Sequence, residues 1–520
     1  MKAFYPFIVS ASLVILSLAG GLSCKNRVIE TVTLTGMVDF DRYKPDKSGA
    51  ADVSQLLQQA IDDCVDQQCI LLLSAGTYRL DKTVNIRGAL TMRGAGKATT
   101  TERGVTRFIT TSLTNTLINV EAGGKNVVFE DFSLENTATA TPTAGSGLRI
   151  VDADGTVLNR MSFINFFNNI SVESGIYWKV NQCSVFDPVN YGIWIRNTKV
   201  ADIGDMSITA TDFVTNYMQE RSPVAAIQWQ SGGGLRFQNN KINWAGGSRW
   251  QYGLRLMPDA GVQTSDFLIT GNSIENCTAH GLYVGSTNSD YTINSLIMTG
   301  NQFGIINDTS VFLDLPNRDD NPDNQGLQSV EITGNQLYGQ WGIRARNVSY
   351  LNIGSNHYSV SVGMVKVGRC YSVGYVPGNL KPFPNPNGHI LYENETADEL
   401  TATQGNLQLN FSREIPATND GALYDIAVSS RAGSMITADA TGTVDGVGDF
   451  ATHVVRYVSQ NGAMPTMAVV GNDFTTGNAA TLNWLPSNDK VTLQIAGRGG
   501  TAQGTLRLSI AGPLKKIVQR

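Results

Sequence analysis

The sequence predicts an all-β chain: a stacked-coil β-solenoid capped at its start by one helix and followed by a β-sandwich-like domain. Three observations carry this. A strand–turn–strand pattern recurs nine times between about residues 126 and 360, only 16% of the 520 residues are charged, and a differently textured run of alternating strands fills residues 401–515. Low charge with 53 glycines and no collagen-like period suits a turn-rich β protein. The length is too great for one compact core.

At the start, Met1–Ser23 reads as an export signal. Lys2 is followed by the apolar run FIVSASLVILSLA, too short for a membrane span of about 20 residues. GGLSC then ends at Cys24 and resembles a bacterial lipoprotein signal, except that Gly21 stands where Leu is usual. Two outcomes stay open. In one, a lipid on Cys24 holds the protein at the outer or cytoplasmic membrane, on the cell surface or in the periplasm; in the other it is secreted.

Residues 50–64 (AADVSQLLQQAIDDC) place Val53, Leu56, Leu57, Ala60, Ile61 and Cys64 on one helical face. The strands CILLLSAGTYRL and TVNIRGALTMRGAG follow. Cys64 and Cys69 flank a polar turn, and either a disulfide or two buried thiols fits. No CxxC pair occurs, so zinc and thioredoxin-type chemistry lack support.

The nine copies run VVFEDFSL, VLNRMSF, WKVNQCSV, ADIGDMSI, LRFQNNKI, FLITGNSI, LIMTGNQF, VEITGNQL and LNIGSNHY. One slot in each holds Phe132, Met161, Cys183, Met206, Asn240, Asn272, Asn301, Asn335 and Asn356. A second strand follows most copies, as in GLRI, AIQW, GLRL and GLYV. A repeat of this length is one solenoid coil, stacked on its neighbours at about 4.8 Å. Five consecutive slot asparagines predict a ladder of buried amides that satisfies the backbone of a tight bend. Cys183, in the same slot, reads as packed volume rather than a nucleophile.

The domain boundaries read as signal 1–23, solenoid 24–376, linker 377–400 (rich in Pro, Asn and Gly) and sandwich 401–520. Strands such as LQLNF, THVVRYVS and KVTLQIAG alternate between Gly and Asn turns in the last of these.

With the helix ending AIDDC, the following strand and AGTYRL in view, the N-terminal part resembles the pectate-lyase-like family of right-handed parallel β-helices. The repeat extends the resemblance to about residue 375, two-thirds of the chain. It implies a right-handed parallel β-helix, with lyases, hydrolases, epimerases, phage tailspikes and non-enzymatic members all in the family. Two departures are KPDKSGAADV in place of the usual Gly-Asp-Gly stretch and Ser74 in place of proline. The C-terminal texture resembles modules that follow β-helices in tailspikes, which implies a possible homotrimer.

Alternation predicts an outward row along the second strands: Arg149, Ser171, Trp194, Gln228, Arg255, Tyr283, Phe312 and Arg344. One step along lie Glu173, Arg196, Gln230, Asp314 and Arg346. Rings beside arginines and amides suit sugars, so Trp194, Arg196, Trp250, Tyr252 and Phe312 are the predicted substrate-binding residues. For elimination from an acidic sugar the candidates are Arg255, Tyr283, Arg344 and His280, the last placed at a turn. For hydrolysis Asp314 is the first candidate, with Asp259 or Asp290 as partner, and Glu220 on the 210–224 loop is another candidate acid. No GxSxG element supports a serine hydrolase. Four histidines and no ligand spacing predict no metal or cofactor; calcium stays open, although Asp319, Asn321 and Asp323 fail the EF-hand pattern at Asn324 and Val330. A net charge of −5 without a basic stripe argues against nucleic acid. The expected partner is a polysaccharide, the alternatives being a non-catalytic glycan-binding adhesin and a tailspike-like depolymerase.

Overall fold

Three short strands per coil recur because each coil's apolar residues alternate with polar ones and can be buried only against the next coil. The computed structural model describes residues 36–519 apart from 68, 99–103, 197–204, 216, 218, 248, 287–289, 317–325, 369, 371, 376–378, 381–388 and the stretches between strands beyond residue 394. The strands form three parallel stacks, giving a right-handed parallel β-helix. The first stack climbs through Gly36–Asp39, Cys69–Leu72, Thr91–Arg93, Val128–Glu130 and onward to Ser372–Tyr375. The second includes Ser133–Asn136, Ser162–Ile164, Ser184–Phe186, Asp212–Thr215 and Lys241–Trp244. The third includes Ser146–Val151, Asn168–Glu173, Tyr191–Arg196, Ala225–Ser231 and Trp250–Leu256. In later coils one long strand serves two stacks: Ser273–Gly285 bends at Asn276 (φ 63°) and Gln336–Arg346 bends at Gly339.

The cap helix spans Ser54–Gln67 rather than starting at residue 50, because Ser48–Asp52 pairs as a strand with Gly76–Arg79. The Asp52 carboxylate ends that strand by accepting from the Ser54 backbone N–H and hydroxyl at 2.9 and 2.5 Å. Leu57, Ala60, Ile61 and Cys64 bury the inner face of the helix. The Cys64 and Cys69 sulfurs are bonded, tying its last turn to the next strand. Above it an aromatic file fills the interior: Phe40, Tyr78, Phe108 and Phe132 meet at successive centroid distances of 5.5, 5.3 and 5.6 Å.

The slot changes chemistry along the axis. Phe132, Met161 and Cys183 fill it with apolar volume. In the next coil the occupant is Thr211, which corrects the assignment of Met206. Met206 opens a first-stack strand opposite Leu235, while Ser184 pairs with Asp212 and so sets Cys183 beside Thr211. Thr211 starts the polar run: its Oγ1 accepts from the Cys183 N–H, and its own N–H donates to Asn240 Oδ1 at 3.0 Å. Each asparagine then repeats one arrangement. The backbone N–H and Nδ2 of Asn240, Asn272, Asn301 and Asn335 donate to Oδ1 of the next asparagine, at 2.8–3.1 Å throughout. Nδ2 also donates back to Ile208, Phe237, Ile269, Met298 and Ile332 carbonyls in turn. The residue before the slot is left-handed, from Asp131 (φ 60°) to Gly334 (φ 67°), which explains the recurrent Gly-Asn pair.

Cys183, Cys277 and Cys370 are buried; burial pushes the Cys183 and Cys370 thiols up to about 11, so they are packing groups.

Beyond the coils, two antiparallel sheets make the C-terminal part. The first stack continues from Ser372–Tyr375 into Ala402–Ile415, then in pairing order Gly500–Gly512, Met435–Val444, Val447–Val458 and Thr466–Phe474. The third stack continues into His389–Asn394, then Leu514–Gln519, Gly421–Val428, Lys490–Ala496 and Thr481–Pro486. Residues 377–400 thus contribute the strands Asn379–Leu380 and His389–Asn394 to the coils. The basic terminal segment is a strand of the second sheet.

Replacing Asn301 by alanine takes the acceptor from the buried Asn272 N–H, one of two acceptors from the Asn272 amide, and the amide donor from the Ile269 carbonyl. We expect Asn301→Ala to lower stability by about 3 kcal/mol, read as a fall in the urea midpoint at unchanged slope.

Candidate functional site

The outer face of the third stack places one side chain per coil in a straight row. Register pairs Arg149 with Ser171, Ser171 with Trp194, Trp194 with Gln228, and Gln228 with Arg255. It continues through Tyr283, Phe312 and Arg344 to Lys366 and Glu393. A parallel row beside it reads Tyr252, His280, Thr309 and Trp341.

The two rows meet in a cluster. Ring centroids of Tyr252 and Tyr283 lie 5.4 Å apart, and those of His280 and Tyr283 5.6 Å apart with only 18° between planes. Phe312 presents its edge to His280 at 5.0 Å. The Arg255 guanidinium stands 5.3 Å from the Tyr252 ring centre, and that of Arg344 4.4 Å from Phe312. At these distances the ring face attracts the guanidinium charge, while N–H groups not otherwise engaged can donate to a planar acceptor. Arg255 Nη1 also reaches Gln228 Oε1 at 3.3 Å. Glycine is required at 285: a Cβ there would collide with the Tyr283 ring and hydroxyl, which lie back along the strand.

His280 lies inside a continuous strand, not at a turn; the merging of two strands into Ser273–Gly285 removed the turn the sequence suggested. It is 8% exposed, and its Nδ1 has no hydrogen-bond partner. Asp308 Oδ2 lies 4.0 Å from that nitrogen. Burial lowers the His280 pKa from 6.5, opposed by Asp308 and Asp314 and assisted by Arg344. The Tyr283 phenol is raised by burial and then by the Asp314 and Tyr252 charges.

Two predicted sugar platforms are corrected. Trp250 is fully buried, its Nε1 donating to the Asn243 carbonyl at 3.0 Å. It keeps the inward parity of Leu254 and Leu256, which are buried on the same strand. Phe312 has the expected outward position but is covered by Arg344 and His280, so it supports the arginine instead of a sugar. Trp194 and Arg196 remain on the outer face two and more coils away. Trp194 Nε1 donates to Gln230 Oε1 at 2.6 Å, and Arg196 binds Asp259 at 3.0 Å. A bulge at Ile195 and Arg196 sets Arg196 opposite Ser231 instead of Gln230.

The acids proposed for hydrolysis are engaged or dispersed. Asp314 lies 3.6 Å from Arg346, Asp259 is held by Arg196, and Glu173 receives two bonds from Arg149 at 2.8 and 2.5 Å. Asp308 and Asp314 bracket one strand, so their backbones are about 20 Å apart at roughly 3.3 Å per residue. Among the described residues no cluster of His, Cys, Asp or Glu could hold a metal ion. Asp319, Asn321 and Asp323 lie outside the described residues, as does Cys24.

Sequence reading missed Asp308, Trp341 and Lys366. Lys366 continues the alternation of GMVKV by one coil and stands 5.4 Å from the Trp341 ring centre.

No family model and no curated protein matches the chain. Solved structures do. The tailspike protein of E. coli bacteriophage HK620, as a mutant in complex with a pentasaccharide, aligns with TM-score 0.53 at 11% identity over 92% of this chain and 93% of that one. A double mutant of the same tailspike gives 0.52 at 12% identity, with the same coverage. The Streptococcus pneumoniae surface protein and adhesin PfbA gives 0.48 at 13% identity, over 69% of this chain and all of that one. At these identities the likeness establishes the parallel β-helix fold.

Because folded His280 holds its proton less tightly than the unfolded chain, the unfolded chain binds more protons as pH falls through 6.5. Stability from this group is therefore complete above that pH and declines below it. An NMR titration should place the His280 midpoint below 6.5, and His280→Gln should flatten the acid side of the stability curve.

Proposed function

We propose that the protein is an exported, polysaccharide-active β-helix that binds a glycan along the third-stack face and cleaves it at the Tyr252–His280–Tyr283–Arg344 cluster. The single observation that carries this reading is the unbroken outward row Trp194–Gln228–Arg255–Tyr283–Phe312–Arg344, with a second row of rings and imidazole beside it. The pentasaccharide bound to the HK620 tailspike mutant supports a glycan on this kind of fold.

Elimination fits these side chains better than hydrolysis. A neutral imidazole at His280 and a protonated phenol at Tyr283 stack face to face, which supplies a proton acceptor beside a proton donor. Two of the acids that hydrolysis would use, Asp259 and Asp314, are tied to arginines. The arrangement suits membership of the pectate-lyase-like superfamily, which is part of the same proposal.

A second reading, a glycan-binding surface protein without catalysis, is favoured by one observation: His280 is 8% exposed beneath its neighbours. The C-terminal sheets are proposed to assemble a homotrimer, checked by light scattering. Lipid on Cys24 is proposed to hold the protein at the membrane, checked by intact mass.

The deciding assay incubates the purified protein with uronate-containing and neutral polysaccharides, with and without calcium, and follows reducing ends and ultraviolet absorbance. Elimination gives both signals and hydrolysis gives reducing ends alone. Binding without either signal means an adhesin. If the protein cleaves, Tyr283→Phe should reduce turnover about 100-fold or more while glycan affinity changes only a few-fold.

A further inference from the structure

The cations of the outer row differ in one respect. At the ends, each is neutralised from the adjacent coil. Arg149 is gripped by both oxygens of Glu173, and Lys366 lies 3.3 Å from Glu393, which also binds Lys516 at 3.1 Å. In the middle, neither Arg255 nor Arg344 has a carboxylate within ion-pair distance among the described residues. Their contacts are the Tyr252 and Phe312 rings and the Gln228 amide. Arg255 Nε is buried without a hydrogen-bond partner, as is the neighbouring His280 Nδ1. The acids nearest the cluster are directed elsewhere, Asp314 toward Arg346 and Asp308 toward His280.

We propose that Arg255 and Arg344 form a two-point charge gauge. It selects a polysaccharide that carries carboxylates on its sugar rings and runs parallel to the helix axis, with two of those carboxylates meeting the two arginines. The inference rests on the polysaccharide reading and adds the charge, direction and spacing of the ligand. Three coil steps separate the arginines through Tyr283 and Phe312, about 14 Å at roughly 4.8 Å per step. One carboxylate cannot meet both. A chain lying across the coils would meet only one, whereas a chain along the axis meets both and crosses Tyr283 between them. Each guanidinium carries N–H donors that a carboxylate matches.

The test measures binding of the full chain to length-graded acidic oligosaccharides (galacturonate, mannuronate and glucuronate series) and to neutral ones of equal length, in low and high salt. Acidic oligomers long enough to bridge both arginines should bind more tightly than neutral ones and weaken steeply with salt. Arg255→Gln and Arg344→Gln should each weaken them about tenfold or more and weaken neutral oligomers far less. Acidic oligomers too short to bridge should respond to one of the two substitutions only. The salt dependence of the unaltered protein gives an answer even if a variant misfolds. Neutral glycans bound as tightly as acidic ones, with no salt dependence, would overturn the gauge and leave the polysaccharide reading standing. Failure to bind any glycan would overturn both.

Discussion

Coil-on-coil register is the constraint on which everything else rests. A strand that slipped by one residue would turn Arg255 into the interior and Leu254 out to water, because side chains alternate with a period of two. Parallel backbone bonding alone fixes the spacing but tolerates slippage. The slot at the bend between the first and second stacks removes that freedom. From Asn240 to Asn335 each slot side chain bonds both forward and back, so a shifted coil would strand several buried donors at once. The chemistry of the row is thus held in line by residues on a different corner of the coil.

That arrangement also explains which parts were legible in sequence. The repeat could be read because apolar alternation and the Gly-Asn pairs both follow from local geometry, a left-handed residue followed by a buried amide. The outward row from Arg149 to Arg344 could be read for the same reason. Reading failed where a second alignment competes with the true one, or where only the stacking of coils brings residues together. The stretch ADIGDMSI mimics the pattern, but MSITATDF five residues on fits it too, and its strand Met206–Thr209 leads to the bend at Thr211 that stacks on Cys183. Trp250 shares the inward parity of Leu254 and Leu256, and reading it as part of an exposed aromatic loop overlooked that alternation. Asp308 resembles an ordinary turn acid, and only the stacking of coils sets it against His280.

The position of the cluster along the solenoid follows from the same architecture. Early coils are laced by ion pairs between neighbouring coils, including Arg87–Glu121, Arg93–Glu130, Arg107–Glu135 and Arg160–Asp131. The cap helix closes one end, and the C-terminal strands take up the open edges at the other, which removes the pairing hazard of free strands. In the middle of the third stack the surface changes to rings beneath guanidinium groups that have no carboxylate partner among the described residues.

The most direct measurement is a crystal structure of the protein with a bound oligosaccharide from its preferred polysaccharide. The account predicts a sugar chain lying along the helix axis across Arg255, Tyr283 and Arg344. A sugar chain bound on the first or second stack, with this row left bare, would contradict it.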